Sequence, residues 1–266
     1  MGCERIAEAF ARLRGRGEGA LLVYLVAGDP SPERSLDFLR AAARGGADLL
    51  ELGLPFSDPV ADGPTIQAAG LRALKAGTTP ETTLELAALL RQDTDIPILI
   101  MSYYNPILRM GEEIFCRRAA ACGVDGLIVP DLPPEEAAPL AHAAEEEGLA
   151  LTFLATPETG EERLRAIAQR TQGFLYLVGR YGTTGARGSL APETIPLIRR
   201  VRALLPDGMP LAVGFGLSRP QHVRGVIAAG ADGAVVGSSL VEKVAQGASP
   251  EGLSALVGEL KGATRS

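Results

Sequence analysis

Short apolar runs, β-branched or leucine-rich, alternate along this chain with longer segments rich in Ala, Arg and Glu. The short runs begin near Leu21, Asp48, Ile96, Asp125, Leu149, Phe174, Pro210 and Gly233, which makes eight predicted strands. Between them, stretches at 31–44, 79–91, 112–121, 134–147, 161–169, 192–204 and 221–229 carry apolar residues at helical spacing. A run such as Pro97-Ile98-Leu99-Ile100-Met101 is apolar on both faces, as a parallel strand covered by helices must be. Eight βα units in series predict an α/β protein, a single (β/α)8 TIM barrel spanning residues 1–266 as one domain. An extra N-terminal helix, 4–14, precedes the first strand and is placed to cap the barrel's floor.

One phrase recurs at the predicted helix-to-strand junctions: Gly46-Ala47-Asp48-Leu49, Gly123-Val124-Asp125-Gly126 and Gly230-Ala231-Asp232-Gly233. Glycine ends each preceding helix, where a left-handed residue is needed, and the strand follows. The copies are unequally spaced, so they mark a shared turn and not a solenoid period. No linker or low-complexity tract divides the chain.

Composition narrows the function classes. With 46% hydrophobic and 22% charged residues over 266 positions, the chain is globular, neither disordered nor coiled-coil. Its net charge of -6 and pI of about 5.2, with both signs interspersed, offer no basic field to a nucleic-acid backbone. Three cysteines without CxxC spacing and two distant histidines, His142 and His222, speak against a disulfide framework and a Cys/His metal site. No apolar run reaches the roughly 18 residues of a membrane span, and positions 1–19 are studded with Arg and Glu, so the expectation is a cytoplasmic chain without a membrane or nucleic-acid partner.

In such a barrel, catalytic groups come from the carboxyl ends of strands and the loops that follow. The second strand is the richest: Glu51 interrupts an apolar run on the face opposite Leu50 and Leu52, where partial desolvation would raise its pKa toward neutrality. Asp62 follows at the end of a loop stiffened by Pro55, Pro59 and Pro64. Two carboxyl groups, one on a strand and one on a rigid loop, can address one substrate from different sides. The competing readings are a surface glutamate for Glu51 and a helix N-cap for Asp62. Across the barrel, glycine-rich segments follow the sixth, seventh and eighth strands: Gly179 to Gly188, Gly214-Phe215-Gly216-Leu217-Ser218 and Gly237-Ser238-Ser239. Glycine lets backbone N–H groups approach an anion, and a helix starting at Ser238 or Ser239 would aim its free N–H groups at the same place, so a phosphate monoester is expected there. Each segment alone reads equally as a turn. Asp131, Tyr103, Tyr104 and Asn105 end other strands and read as turn or wall residues; Tyr176 reads as core, and His222 as a satisfied surface histidine.

The segment Glu51-Leu52-Gly53-Leu54-Pro55-Phe56-Ser57-Asp58-Pro59-Val60-Ala61-Asp62-Gly63-Pro64-Thr65-Ile66-Gln67 resembles the signature of the tryptophan synthase α-subunit family. The likeness runs from Val26-Ala27-Gly28-Asp29-Pro30 to Gly237-Ser238 and includes Asn105, Gly185 and Gly214-Phe215-Gly216. It implies a lyase that cleaves indole-3-glycerol phosphate to indole and glyceraldehyde 3-phosphate, with Glu51 and Asp62 catalytic. It also implies that Gly185, Gly214, Gly216, Gly237 and Ser238 hold the substrate's phosphate, that Thr184 is a further substrate-binding residue aligned with Gly185 to the family's lid, and that Tyr24, Leu99, Tyr103, Leu127 and Tyr176 wall the indole. The implied partner is a pyridoxal phosphate-dependent β subunit in an α2β2 complex, met through Pro55, Asp58, Asn105 and Pro133, with no metal or cofactor in this chain. The loop after the sixth strand departs from the family, with Gly179, Tyr181 and Gly182-Thr183-Thr184-Gly185 where a serine and a Gly-Val-Thr-Gly core are usual. A free-standing lyase, a catalytically idle, phosphate-binding regulator, and a sister phosphate-binding barrel such as an isomerase, which would not require the Glu51 to Asp62 segment, are the alternatives.

Overall fold

The computed structural model describes residues 2–179 and 190–265. Its strands are β1 (Ala20–Val26), β2 (Leu49–Gly53), β3 (Ile98–Met101), β4 (Gly126–Ile128), β5 (Ala150–Thr152), β6 (Leu154–Ala155), β7 (Leu175–Val178), β8 (Leu211–Gly214) and β9 (Gly233–Val236). All pairings among them are parallel, in the order β5-β4-β3-β2-β1-β9-β8-β7-β6. β5 and β6 are two halves of one stave broken at Phe153: the first half pairs with β4 and the second with β7, which closes the barrel. The eight predicted strands are therefore eight staves.

The helices are α1 (Gly2–Gly15), α2 (Pro32–Arg44), α3 (Pro64–Lys75), α4 (Pro80–Arg91), α5 (Tyr104–Met110), α6 (Glu112–Ala121), α7 (Ala138–Glu146), α8 (Glu161–Arg170), α9 (Thr194–Leu204), α10 (Pro220–Ala228), α11 (Ser238–Ala245) and α12 (Pro250–Gly262). Three of them start alike, at Ser31-Pro32-Glu33, Thr79-Pro80-Glu81 and Ser249-Pro250-Glu251. In each the hydroxyl accepts a first-turn N–H, proline presets the first helical φ, and glutamate meets the positive end of the dipole. α7 starts at Ala138, four residues later than the sequence pattern predicts, because Pro133 opens a separate turn closed by the Glu136 N–H (3.0 Å).

Strand parity sorts the core into two layers. Leu21, Val23, Leu50, Leu52, Ile98, Ile100 and Leu127 face the helices, whereas Leu22, Leu49, Leu99, Ile128, Phe174, Tyr176, Ala212 and Val235 fill the barrel. α1 seals the amino end of that interior with Ile6, Phe10 and Leu13, and the Phe10 and Phe174 rings lie 5.7 Å apart.

The recurrent junction phrase has a common structure at this floor. Gly46, Gly123 and Gly230 take φ of 99°, 79° and 107°, which side chains disfavour. The aspartate two positions on then grips the start of the neighbouring strand through its main chain and its carboxylate. Asp48 Oδ2 accepts the Leu21 N–H, Asp125 Oδ2 the Ile98 N–H and Asp232 Oδ2 the Leu211 N–H, each at 2.8 Å. Basic side chains complete each grip: Lys261 at Asp48, Arg5 and Arg91 at Asp125, Arg14 and Arg202 at Asp232. Gln172 fills the same role for Leu151, donating its N–H and accepting through Oε1 at 3.2 Å.

Candidate active site

The carboxyl ends of the staves open onto a cavity of about 400 Å³. On one side stands the β2 carboxyl pair. Glu51 shares the inward face with Leu49, in register with Tyr24 of β1 and Leu99 of β3. It is fully buried, and neither carboxyl oxygen has a hydrogen-bond partner among the described residues. Burial alone pushes its pKa from 4.5 to about 8. Glu51 does not itself line the cavity; Tyr24 and Tyr176, whose hydroxyls feel its charge, do.

Asp62 reaches the cavity from the loop after β2. Burial lifts its pKa from 3.8 to about 6, and a hydrogen bond from the Tyr103 hydroxyl holds it back from rising further. The same hydroxyl accepts the Ala61 N–H at 2.8 Å, and the Tyr103 ring packs on Phe56 at 5.4 Å, so one tyrosine fastens the loop at both ends. The N-cap of α3 is Gly63, without a side-chain cap, while Gln67 binds the Asp62 carbonyl at 2.9 Å. The carboxylate is thereby left to the cavity and does not serve as a cap.

Gly214, Gly216, Gly237 and Ser238, at the ends of β8 and β9, form a further part of the cavity wall. α11 begins at Ser238, at the cavity's edge; of its first-turn N–H groups Leu240 bonds the Gly237 carbonyl at 2.8 Å, which leaves those of Ser238 and Ser239 without a partner within the helix. Gly214 and Gly237 also have a packing reason: a Cβ on either would come within 3.0–3.1 Å of the Tyr176 or Tyr24 ring.

The structure therefore gathers Tyr24, Asp62, Tyr176, Gly214, Gly216, Gly237 and Ser238 around one cavity. Leu99 and Leu127 do not line it. Leu99 sits lower in the barrel, and Leu127 falls on the odd parity of β4 and faces the helices. Met101, Pro130 and Leu154 take the wall positions instead, each an even step along its stave, a parity the sequence contained. Tyr103 acts through Asp62 and the Ala61 N–H without lining the cavity. Thr184 and Gly185 lie outside the described residues. His222 is no surface residue: at 3% exposure it forms part of the cavity wall. Asp131 accepts the Tyr104 N–H at 2.9 Å at the start of α5. Around the mouth, Asp58 and Asn105 are exposed, Pro133 is half-buried and Pro55 is buried. No group of three or more potential metal ligands, and no helix long and apolar enough to cross a membrane, is found among the described residues.

Residues 10–262 match the family model described as tryptophan synthase alpha chain. The chain belongs to the tryptophan synthase alpha chain family. It is 49% identical over 259 residues to the tryptophan synthase alpha chain of Methanosarcina barkeri, covering 97% of this chain and 96% of that one. The alpha chain of Carboxydothermus hydrogenoformans is also 49% identical, over 90% of this chain and 88% of its own. Among solved structures, Mycobacterium tuberculosis tryptophan synthase superposes with a TM-score of 0.92 at 36% identity, covering 98% of both chains. A mutant α-subunit from Pyrococcus furiosus does so at 0.85 and 42%, over 92% of this chain and 99% of that one. Glu51 is a buried carboxyl group without a hydrogen-bond partner among the described residues, and Asp62 and Glu193 line the cavity.

Proposed function

We propose that this cavity carries the alpha reaction of tryptophan synthase, the retro-aldol cleavage of indole-3-glycerol phosphate to indole and glyceraldehyde 3-phosphate. The observation that carries the reading is the split carboxyl pair: near pH 7, Glu51 with a pKa of about 8 holds its proton while Asp62 at about 6 is ionised. Cleavage needs that division. C3 of the indole ring must gain a proton before its bond to the glycerol chain breaks, and the adjacent side-chain hydroxyl must lose one as the aldehyde forms. Glu51 donates the first and accepts the second, turning from its layer of the barrel toward the cavity to do so. Positive charge developing on the ring is relieved through N1–H, where anionic Asp62 accepts a hydrogen bond that strengthens in the transition state. The phosphate sits against Gly185, Gly214, Gly216, Gly237 and Ser238, the last at the start of α11, and Thr184 is a further substrate-binding residue. Tyr24 and Tyr176 bound the ring. No metal or organic cofactor of this chain is assigned a step.

Indole is small and apolar and would escape an open barrel mouth, so a second active site docked on that mouth is its natural acceptor. The mouth residues Pro55, Asp58, Asn105 and Pro133 are the proposed contact for a β subunit, which supplies pyridoxal phosphate, in an α2β2 assembly in the cytoplasm. Glu51 and Asp62 bracket the same loop, so docking and cleavage are coupled, and in binding free energy the coupling is reciprocal. The purified chain is to be incubated with indole-3-glycerol phosphate with and without β subunit, measuring both products. Slow cleavage alone, faster cleavage with β subunit, and an Asp58→Ala variant that loses activation more than basal rate are expected. Equal rates with and without saturating β subunit would identify a free-standing lyase.

A further inference from the structure

One peptide group ties the two glycine-rich walls of the cavity together. The Leu217 carbonyl accepts the Ser239 hydroxyl of α11 at 3.3 Å, and the Ser218 N–H, the other end of that same peptide, donates to His222 Nδ1 of α10 at 3.3 Å. The Ser218 hydroxyl stands 3.5 Å from the same nitrogen. An Nδ1 that accepts a backbone N–H is the unprotonated nitrogen of the ring. Gly216, immediately before Leu217, has φ of 65°, a left-handed conformation that side chains disfavour. Both clamping side chains hang on helices, and α10 and α11 follow the two staves whose ends make the wall.

We propose that His222 and Ser239 are positioning residues of the phosphate site. By holding the Leu217–Ser218 peptide at both ends, they keep the 214–218 loop in register with the first turn of α11, so that one anion meets both walls at once. The inference rests on the phosphate assignment above and adds a residue that acts through Ser218 without bonding the phosphate itself.

The test exploits the geometry of the amide side chains. Asparagine places an oxygen near the Nδ1 position, glutamine reaches toward the Nε2 position, and leucine supplies neither. Glycerol 3-phosphate and indole are titrated calorimetrically into the full-length wild type and the His222→Asn, His222→Gln and His222→Leu variants. Loss of the Nδ1 contact to Ser218 predicts about three- to tenfold weaker glycerol 3-phosphate binding in the Leu and Gln variants, with Asn restoring it to within about twofold. Indole binding should stay the same in all, and KM should rise while kcat holds within about twofold. Nitrogen-15 spectra of the wild type, which has only two histidines, should show His222 with a bare Nδ1 and a protonated Nε2. A protonated Nδ1 would remove the clamp even if the Leu variant failed to fold. Rescue by Gln and not Asn would assign a direct Nε2 contact, and equal losses for both ligands would show a general packing role; either overturns the proposal. A wild type that binds no glycerol 3-phosphate would defeat the phosphate assignment and this inference together. Variants that all bind as the wild type does would defeat this inference alone.

Discussion

Asp125 and Glu51 are both fully buried carboxyl groups on the same barrel, one at its floor and one toward its mouth. Burial raises the pKa of each, but their surroundings differ completely. Asp125 accepts the Ile98 N–H and pairs with Arg91 and Arg5, all of which pull its pKa back down. Glu51 has no such partner, and desolvation acts on it unopposed. Removing a carboxylate from water is costly whichever way it is done. At the floor the cost is offset by hydrogen bonds that lock staves, helices and α1 together. Near the mouth it is left standing, which is what a group that must gain and lose a proton near neutrality requires.

The difference is sharpest in what each carboxyl group does when removed. Glu51→Gln should lower turnover by at least roughly 10²- to 10⁴-fold, the range for a general acid or base, while stability at neutral pH holds or rises. Steady-state kinetics and chemical denaturation of the same preparation check both halves, and near-normal turnover would remove Glu51 from the mechanism. Asp125→Ala should do the reverse. It leaves Arg91 and Arg5 unpaired and the Ile98 N–H without its acceptor, for a loss of about 3 kcal/mol, with turnover per folded molecule little changed. A denaturation midpoint equal to that of the wild type would contradict it.

Titration separates them next. With Asp62 near 6 and Glu51 near 8, kcat/KM should be highest between those values and fall about tenfold per pH unit outside them, the acid limb from Asp62 and the alkaline limb from Glu51. The sign for stability follows from the raised pKa. Between about 4.5 and 8 the folded state keeps a Glu51 proton that the unfolded chain has released, so this contribution is full below 4.5 and is lost as pH rises through 8. The stability difference between wild type and Glu51→Gln should therefore change across that window, and a flat difference would place Glu51 in a wetter site. The smallest effect is expected at Tyr103→Phe. It removes the hydrogen bond that restrains Asp62 and the acceptor for Ala61, so the acid limb should move to higher pH and turnover at pH 7 should drop a few-fold, about 1 kcal/mol.

Much of the barrel is legible in the sequence, and the limits are instructive. Glu51 was recognisable because a charge interrupting an apolar strand has few structural reasons to be there. The three Gly-x-Asp junctions were visible as repeated turns, but their aspartates' grip on the neighbouring strand was not, since the basic partners come from helices as distant as α1 and α12. The family resemblance places Leu127 in the cavity, whereas β4 parity points it outward and puts Pro130, two residues beyond the inward Ile128, on the wall. An error of one residue in a strand exchanges inside for outside, which makes wall residues the least secure part of any such reading. His222 failed for another reason: nothing in its neighbours along α10 signals that the ring faces a cavity whose other walls come from distant staves.

What the sequence determined by itself was the succession of eight staves, the junction turns, and the two carboxyl groups bracketing a rigid loop. All of these are encoded in local periodicity and in residues whose backbone or charge preferences act over a few positions. Only the tertiary structure decided which carboxyl groups would be partnered and which left bare, that one tyrosine fastens the Asp62 loop, and that a single peptide joins two glycine-rich walls. Those outcomes depend on desolvation and hydrogen bonding among groups brought together by closure of the barrel, and neither quantity exists until the staves have met.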